Sequence, residues 1–299
     1  MPSGYAARIG SVYDARAAWL LLSPLFAVLL VVAVFPVLYS FWISLYDLRL
    51  TRPQRVPFVG LENYLTVFAD ELFWESVTRT AYFSVVSVAA IMVIALAIGL
   101  LLNEQFRGRR VLSTILLIPW AIPSVANGLM WKWIYDSGYG ALNGLLFQLD
   151  FIDKYMIWLG DEHKTLPLIA NAFVWKEAPL ATILLLVTMK AIPEDLYRAA
   201  KVDGARVLQR FWHITLPALK PGFLLVLVYE SMMAVRHFDL FFLLTEGGPA
   251  NASHVLAWQV YVETFRKLSF GTGAALAYIL AIATFAMAYF IIRWLGRRL

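Results

Sequence analysis

The chain has 299 residues, of which 61% are hydrophobic and 15% charged, with a formal net charge of +5 and a mean hydropathy of +0.70. Soluble domains are about 45–50% apolar, so disorder is excluded and a soluble enzyme is disfavoured; lipid is the better home for the long apolar blocks. With no cysteine there is no disulfide framework, no thiolate metal site and no cysteine nucleophile.

Crossing about 30 Å of hydrocarbon takes roughly 20 helical residues. Blocks of that length lie near 17–45, 79–102, 112–135, 166–190, 218–244 and 272–295. The first is longer than one span needs, which implies tilt or an interfacial extension. It is too long for a cleaved signal and no small-residue cleavage site closes it. The fifth carries charge and is the weakest by hydropathy. The reading is an all-α integral membrane protein with six transmembrane helices. A short segment, 1–16, precedes a single membrane domain, 17–299.

Orientation follows from Lys and Arg. The N-terminus, the 103–111 loop, the 190–220 segment and the C-terminus together carry fourteen; the loops on the opposite side carry seven. The positive-inside rule therefore places both termini in the cytoplasm and the longer loops 46–78, 136–165 and 245–271 outside. No phosphate-cradling GxxxxGK[ST] occurs, and no HExxH or GxSxG. The four histidines are scattered, so neither a nucleotide site nor a metal centre is expected on this chain, and no nucleic-acid partner.

Residues 191–221 do not read as a linker. Pro193, Glu194 and Asp195 suit a helix start. Leu196, Ala199, Ala200 and Val202 give a partly apolar face, and Gly204 supplies a break or left-handed turn. A second amphipathic stretch runs from Ala205 to about Thr215, with Val207, Leu208, Phe211 and Ile214 at helical spacing; Leu216 and Pro217 end it. Two readings stand: an amphipathic hairpin lying on the membrane, or a docking surface for a soluble partner.

Polar groups at membrane depth are costly and face a bundle interior or a wet cavity. The fourth span carries Asn171, Trp175, Lys176 and Glu177. Neighbouring helix positions point about 100° apart, so Lys176 and Glu177 are not expected to pair. Pro179 is expected to bend this span. The fifth carries Glu230, Arg236, His237 and Asp239; Glu230 and His237 share a face, while Arg236 and Asp239, three apart, are expected to pair. These groups serve either as packing devices or as a sugar site, where carboxylates and amides meet hydroxyls and aromatic faces stack on the ring. Asn127 is a weaker candidate. Trp131, Lys132, Trp133 and Tyr135 read as an interfacial belt.

The run Tyr197-Arg198-Ala199-Ala200-Lys201-Val202-Asp203-Gly204-Ala205, with Phe211, Ile214, Leu216, Pro217 and Pro221, resembles the EAA loop of ABC importer permeases. Phe58-Val59-Gly60-Leu61-Glu62-Asn63-Tyr64, Leu117 to Pro123, Phe238-Asp239 and Leu244 to Pro249 are similar to the carbohydrate-uptake members of that family, covering roughly 55–295. The likeness is to the first of the two permease subunits in maltose-, trehalose- and glycerol-phosphate-type importers.

The resemblance implies a bacterial or archaeal plasma-membrane permease with a second permease subunit, an ATPase subunit dimer holding ATP and Mg, an extracytoplasmic solute-binding protein and a sugar or polyol substrate. It implies that Arg198, Ala199, Ala200, Asp203, Gly204, Ala205, Phe211, Leu216 and Pro217 belong to the loop coupling to the ATPase. The family's usual Glu is Arg198 here, which inverts that charge. Trp175, Glu177 and the Arg236–His237 stretch match contact positions of the maltose-type relative, with mostly different residue types; Glu230 and Asp239 complete the polar set. An anionic glycerol-phosphate-type substrate, an ion-coupled secondary transporter relaying through Glu177 and Glu230, and a membrane-embedded enzyme are the alternatives. The patterned loop favours the importer over the last two.

Overall fold

The computed structural model describes residues 15–296. Residues 1–14 of the expected N-terminal segment lie outside the described residues, as do Arg8, Arg297 and Arg298 among the charges counted for orientation. All regular elements among the described residues are helical; extended pairing is limited to the isolated bridges Tyr46–Phe58 and Arg49–Ser269.

The first span is α1 (Ala15–Leu29) and α2 (Phe35–Ser44), joined by a π-helical turn at Leu30–Val34. Pro36 accounts for the turn: proline has no N–H and its ring crowds the carbonyl four residues back, so the helix widens there. α3 (Glu62–Ala69) leads into α4 (Glu71–Asn103), whose start is capped by the Asp70 carboxylate accepting from the Leu72 N–H at 3.1 Å. After the Arg107–Arg110 turn come α5 (Arg109–Leu116), α6 (Ile118–Ala121) and α7 (Ser124–Ile134). α8 (Ala141–Gln148) lies in the following loop. α9 (Glu162–Lys190) begins at Asp161, which accepts from the His163 N–H at 2.9 Å and the Lys164 N–H at 3.3 Å. Those donors, His163 first, hold the Asp161 carboxyl below the usual carboxylate range.

α10 (Glu194–Val202), α11 (Val207–Arg210), a π turn at Phe211–Thr215 and α12 (Leu216–Ala218) form the 191–219 loop. α13 (Lys220–Val235) and α14 (Asp239–Leu244) follow, then α15 (Leu256–Tyr261), a π turn at Val262–Arg266, and α16 (Phe270–Gly296). Among the described residues four helical stretches are long and apolar enough to cross a membrane, and the number reaches six if each of two bent pairs is a single broken span.

Both bent pairs correct the straight spans expected from hydropathy. The third span turns by 94° between Arg109–Ala121 and Ser124–Ile134. Ile122 is extended at ψ 130°, the conformation that a following proline imposes, and Pro123 itself sits at ψ 142°. The fifth bends by 60° between Val207–Ala218 and Lys220–Val235, beside Pro221. It also ends at Val235, so residues 236–238 interrupt the block expected over 218–244. The fourth span departs the other way: α9 runs unbroken through Pro167 and Pro179.

The centre of the bundle is α4 against α9, with α13 and α14 closing on them. Phe83, Phe173 and Phe241 are fully buried there, with ring centroids 5.4 Å apart for Phe83–Phe173 and 4.9 Å for Phe83–Phe241. Close helix approach in lipid depends on small residues. Gly222 shows this: a Cβ on it would lie 2.5 Å from the Thr188 hydroxyl oxygen of α9. By contrast the first span is exposed along its length and touches the rest mainly through α2 on α16, leaving its apolar faces for lipid or a partner.

Candidate functional site

Two places gather the residues singled out by sequence. The first lies where α9 and α13 meet α4. Glu177 and Lys176 are 3% and 8% exposed, and Glu230 is fully buried. Lys176 Nζ stands 3.2 Å from Glu177 Oε1, contrary to the expectation that adjacent residues would not pair. The error was to treat both side chains as rigid spokes; the four-carbon stem of lysine brings its ammonium round to the neighbour. Glu230 lies within electrostatic range of both members of this pair. Neither of its carboxyl oxygens has a hydrogen-bond partner, nor has Glu177 Oε2. A buried ion pair and a third buried acid thus stand within electrostatic range of one another, with acceptor capacity unused.

His237 joins the edge of this group. Its ring packs edge-on to Phe173 at 4.9 Å and stacks near Phe83 at 6.5 Å, and its Nε2 is buried without a partner. The sequence placed Glu230 and His237 on one helical face. The helix ends between them, and the interruption at 236–238 is what turns the imidazole towards α4 and α9.

Arg236 and Asp239 do not form the expected pair. Arg236 is exposed and donates to Met233 Sδ at 2.9 Å, while Asp239 opens α14 on the other side of the break, where an acid suits the helix dipole. Three-residue spacing brings side chains together only on a continuous helix.

Trp175 is half-buried and packs edge-to-face on Trp131 with centroids 5.9 Å apart. Trp131 also meets Tyr135 at 5.1 Å, and Asn171 donates to the Tyr135 hydroxyl at 3.0 Å. Trp131 and Tyr135 therefore belong to the interior rather than to an interfacial belt; Trp133, 67% exposed, fits the belt. Asn127 is fully buried, reaching the Ala172 carbonyl at 3.5 Å with its own carbonyl oxygen unpartnered. Sequence reasoning placed Trp131 at the interface and so missed it as a member of this region. The four-residue spacing of Trp131 and Tyr135 was the available signal.

The second place is the 191–219 loop. α10 closes in a Schellman turn: the Ala205 N–H donates to the Ala200 carbonyl at 2.8 Å and the Gly204 N–H to the Lys201 carbonyl at 3.1 Å. Gly204 takes φ +77°, the left-handed region that glycine adopts without strain. Arg198 is exposed and paired within its own helix, to Glu194 at 2.9 Å and Asp195 at 3.6 Å. Ala199, Asp203 and Pro217 are exposed, while Ala200, Ala205, Phe211 and Leu216 are half-buried. Around the corner stand Val202, Val207, Leu208 and Trp212, each more than half exposed, an apolar surface out of place unless covered. Tyr197 ties the loop to the base of the fifth span through a 2.9 Å hydrogen bond with Thr215. No group of three metal-ligating side chains occurs among the described residues.

Residues 91–299 match the family described as binding-protein-dependent transport system inner membrane component. The chain is 38% identical to the trehalose/maltose transport system permease protein MalF of Thermococcus litoralis, over 92% of this chain and 93% of the relative. It is 33% identical to the sulfoquinovosyl glycerol transport system permease protein SmoG of Agrobacterium fabrum, over 89% and 86%. The trehalose transport system permease protein SugA of Mycobacterium tuberculosis is 31% identical, over 97% and 92%. In fold it resembles a chain of a bacterial ABC transporter involved in the import of alginate, an acidic polysaccharide. The TM-score is 0.81 at 22% identity, covering 95% of this chain and 97% of that one.

Proposed function

Since the chain belongs to the family of binding-protein-dependent transport system inner membrane components, we propose that it forms half of the translocation pathway of an ATP-driven importer for a neutral sugar. A second permease subunit supplies the other half, and an extracytoplasmic binding protein delivers the substrate. ATP and Mg reside on an ATPase dimer below. Both termini face the cytoplasm, as the Lys and Arg distribution requires.

The observation that carries the substrate reading is the cluster of Lys176, Glu177 and Glu230, with unused acceptor capacity at membrane depth. Groups so costly to bury are accounted for if sugar hydroxyls satisfy them as the pathway opens. Trp175 offers a ring face, and the side chains of Glu177, Glu230 and His237 offer polar partners. Neutrality of the substrate is supported by pairing: Lys176 is already matched by Glu177, Arg236 stands apart from the cluster, and His237 is enclosed by Phe83 and Phe173. Asp239, beyond the break at the start of α14, is a further acceptor in this reading.

Coupling is assigned to the 191–219 loop. The exposed corner formed by Arg198, Ala199, Asp203, Gly204 and Val202 docks on the ATPase, and Tyr197–Thr215 carries its displacement into α13. Arg198, held by Glu194 and Asp195, presents a paired guanidinium where the family's usual residue is Glu.

The test is uptake of labelled trehalose and maltose by the reconstituted complex with Glu177→Ala. Loss of uptake with normal complex yield supports the pathway role; normal uptake with reduced yield assigns Glu177 to packing instead.

A further inference from the structure

At the end of the bundle away from the coupling loop, a cavity of about 320 Å³ lies between residues 49–51, α3, the Val262–Arg266 turn and the start of α16. None of the pathway residues lines it. Its walls are pinned to one another. The Leu50 N–H donates to the Leu268 carbonyl at 3.0 Å and the Phe270 N–H to the Leu48 carbonyl at 2.8 Å. Asn63 donates to the carbonyls of Ser44 at 2.8 Å and Tyr46 at 3.0 Å, and accepts from the Thr272 hydroxyl at 3.4 Å. The cavity is therefore built into the fold and needs no ligand to hold it open.

Its chemistry is specific. Two cations, Arg49 and Lys267, and two acids, Asp70 and Glu263, line it, so the formal charge of the lining cancels. Each cation is already matched: Lys267 pairs with Glu263, and Arg49 pairs with Asp47 at 2.7 Å; the remaining acid, Asp70, is held at the positive end of α4, where it caps the Leu72 N–H. An anion entering would meet Asp70 and Glu263; a cation would meet Arg49 and Lys267. A neutral molecule rich in hydroxyls suffers neither repulsion. Its hydroxyls can donate to Glu263, Asp70, Thr66 and Thr272, the last two having their own protons engaged by Glu62 and Asn63, accept from Lys267, and do either with Thr51. Gln259, 2% exposed, also lines the cavity, and its Oε1 lacks a partner. Val67 and Leu276 add apolar surface for a ring face. The volume is at the small end of ligand sites, which span about 300–1,000 Å³, and suits one sugar unit.

We propose that this cavity is a second sugar site, on the extracytoplasmic face and separate from the translocation pathway, taking a single neutral sugar unit. The ligand class and the outward orientation rest on the importer reading above; the site itself rests on the cavity and its lining.

The test uses the full importer in lipid nanodiscs, without ATP or binding protein, titrated with labelled glucose by equilibrium dialysis. Saturable binding is expected that survives Glu177→Ala. It should weaken at least tenfold in Glu263→Gln and in Gln259→Leu, with complex assembly checked by size exclusion. Thr272→Val, a near-isosteric change, gives the same readout should either variant assemble poorly. Glucosamine and glucose 6-phosphate should compete poorly. Absence of binding in wild type, indifference to all three cavity variants, or loss in Glu177→Ala overturns the proposal. So does a cavity variant that leaves glucose binding intact but weakens capture of the binding protein, which would make the cavity a protein contact. ATP-driven uptake is read in parallel. Uptake without the cavity site defeats this inference alone, and the site without uptake defeats the transport reading alone.

Discussion

Tyr197 and Thr215 share a 2.9 Å hydrogen bond that joins the middle of α10 to the last residue of the π turn beneath the fifth span. Thr215 is buried, so the bond is shielded from water on that side. Such a bond contributes about 0.5–1.5 kcal/mol net, little against the whole fold but enough to loosen one short helix from its lever. Tyr197→Phe should leave membrane levels normal and lower uptake per ATP hydrolysed. Measuring both on one liposome preparation checks it; an unchanged ratio removes this bond from the coupling path.

Gly204 stands at the turn that closes the same short helix. Its φ of +77° disfavours any side chain, although nothing lies within 4 Å of where a Cβ would stand. The cost of a β-branched residue is thus conformational, about 1–3 kcal/mol. Gly204→Val should insert normally while co-purifying less ATPase and showing weaker substrate-stimulated hydrolysis. Equal ATPase recovery at equal expression would separate the turn from docking. Arg198→Glu is a companion: it would set a carboxylate beside Glu194 and Asp195 and change ATPase affinity without changing insertion.

Lys176 is the countercharge for a buried acid. Removing one partner of a buried pair costs about 3–5 kcal/mol, whereas replacing both by apolar groups is often neutral. Lys176→Met should lower the thermal midpoint of the purified complex markedly, and Lys176→Met with Glu177→Leu should recover most of that loss. Uptake should fail in both. If the double variant is no more stable than the single one, the pair is not the electrostatic unit described.

His254, in the 245–255 loop, is buried with an unpartnered Nε2. Burial first, then Arg79 and Lys267, push its pKa down to about 4, against smaller opposing effects of Glu75 and Asp70. The native state therefore holds the neutral imidazole while the unfolded chain binds a proton below its ordinary value of about 6.5. Stability from this site is complete above about pH 6.5 and declines as pH falls towards 4. Hydrogen-exchange protection of residues 245–262 should drop between pH 7 and pH 5 in wild type and stay flatter in His254→Gln. Identical profiles would contradict the assignment.

Hydropathy located the four long spans, at 19–44, 71–103, 162–190 and 270–296, because lipid demands length and composition before anything else. The loop was legible for a different reason: Pro193, the two acids after it and Gly204 are local signals with local causes, and the Schellman turn stands where they put it. The breaks were harder. Pro119 and Pro123 signalled the one in the third span, and the extended Ile122 is what Pro123 requires. Nothing in Arg236-His237-Phe238 announces the end of α13. The break coincides with the ring contacts of His237 with Phe83 and Phe173, partners more than 60 residues away in sequence. The Lys176–Glu177 pair was hidden because facing rules describe Cβ directions, not the reach of a lysine.

If the proposed function holds, this chain moves substrate only as half of an ATP-driven machine. Liposomes should carry it together with its second permease and ATPase subunits, with labelled trehalose and the loaded binding protein outside. Uptake should require internal ATP and the binding protein, and should vanish when this chain is omitted. Uptake that runs on a proton or sodium gradient without ATP would contradict the account.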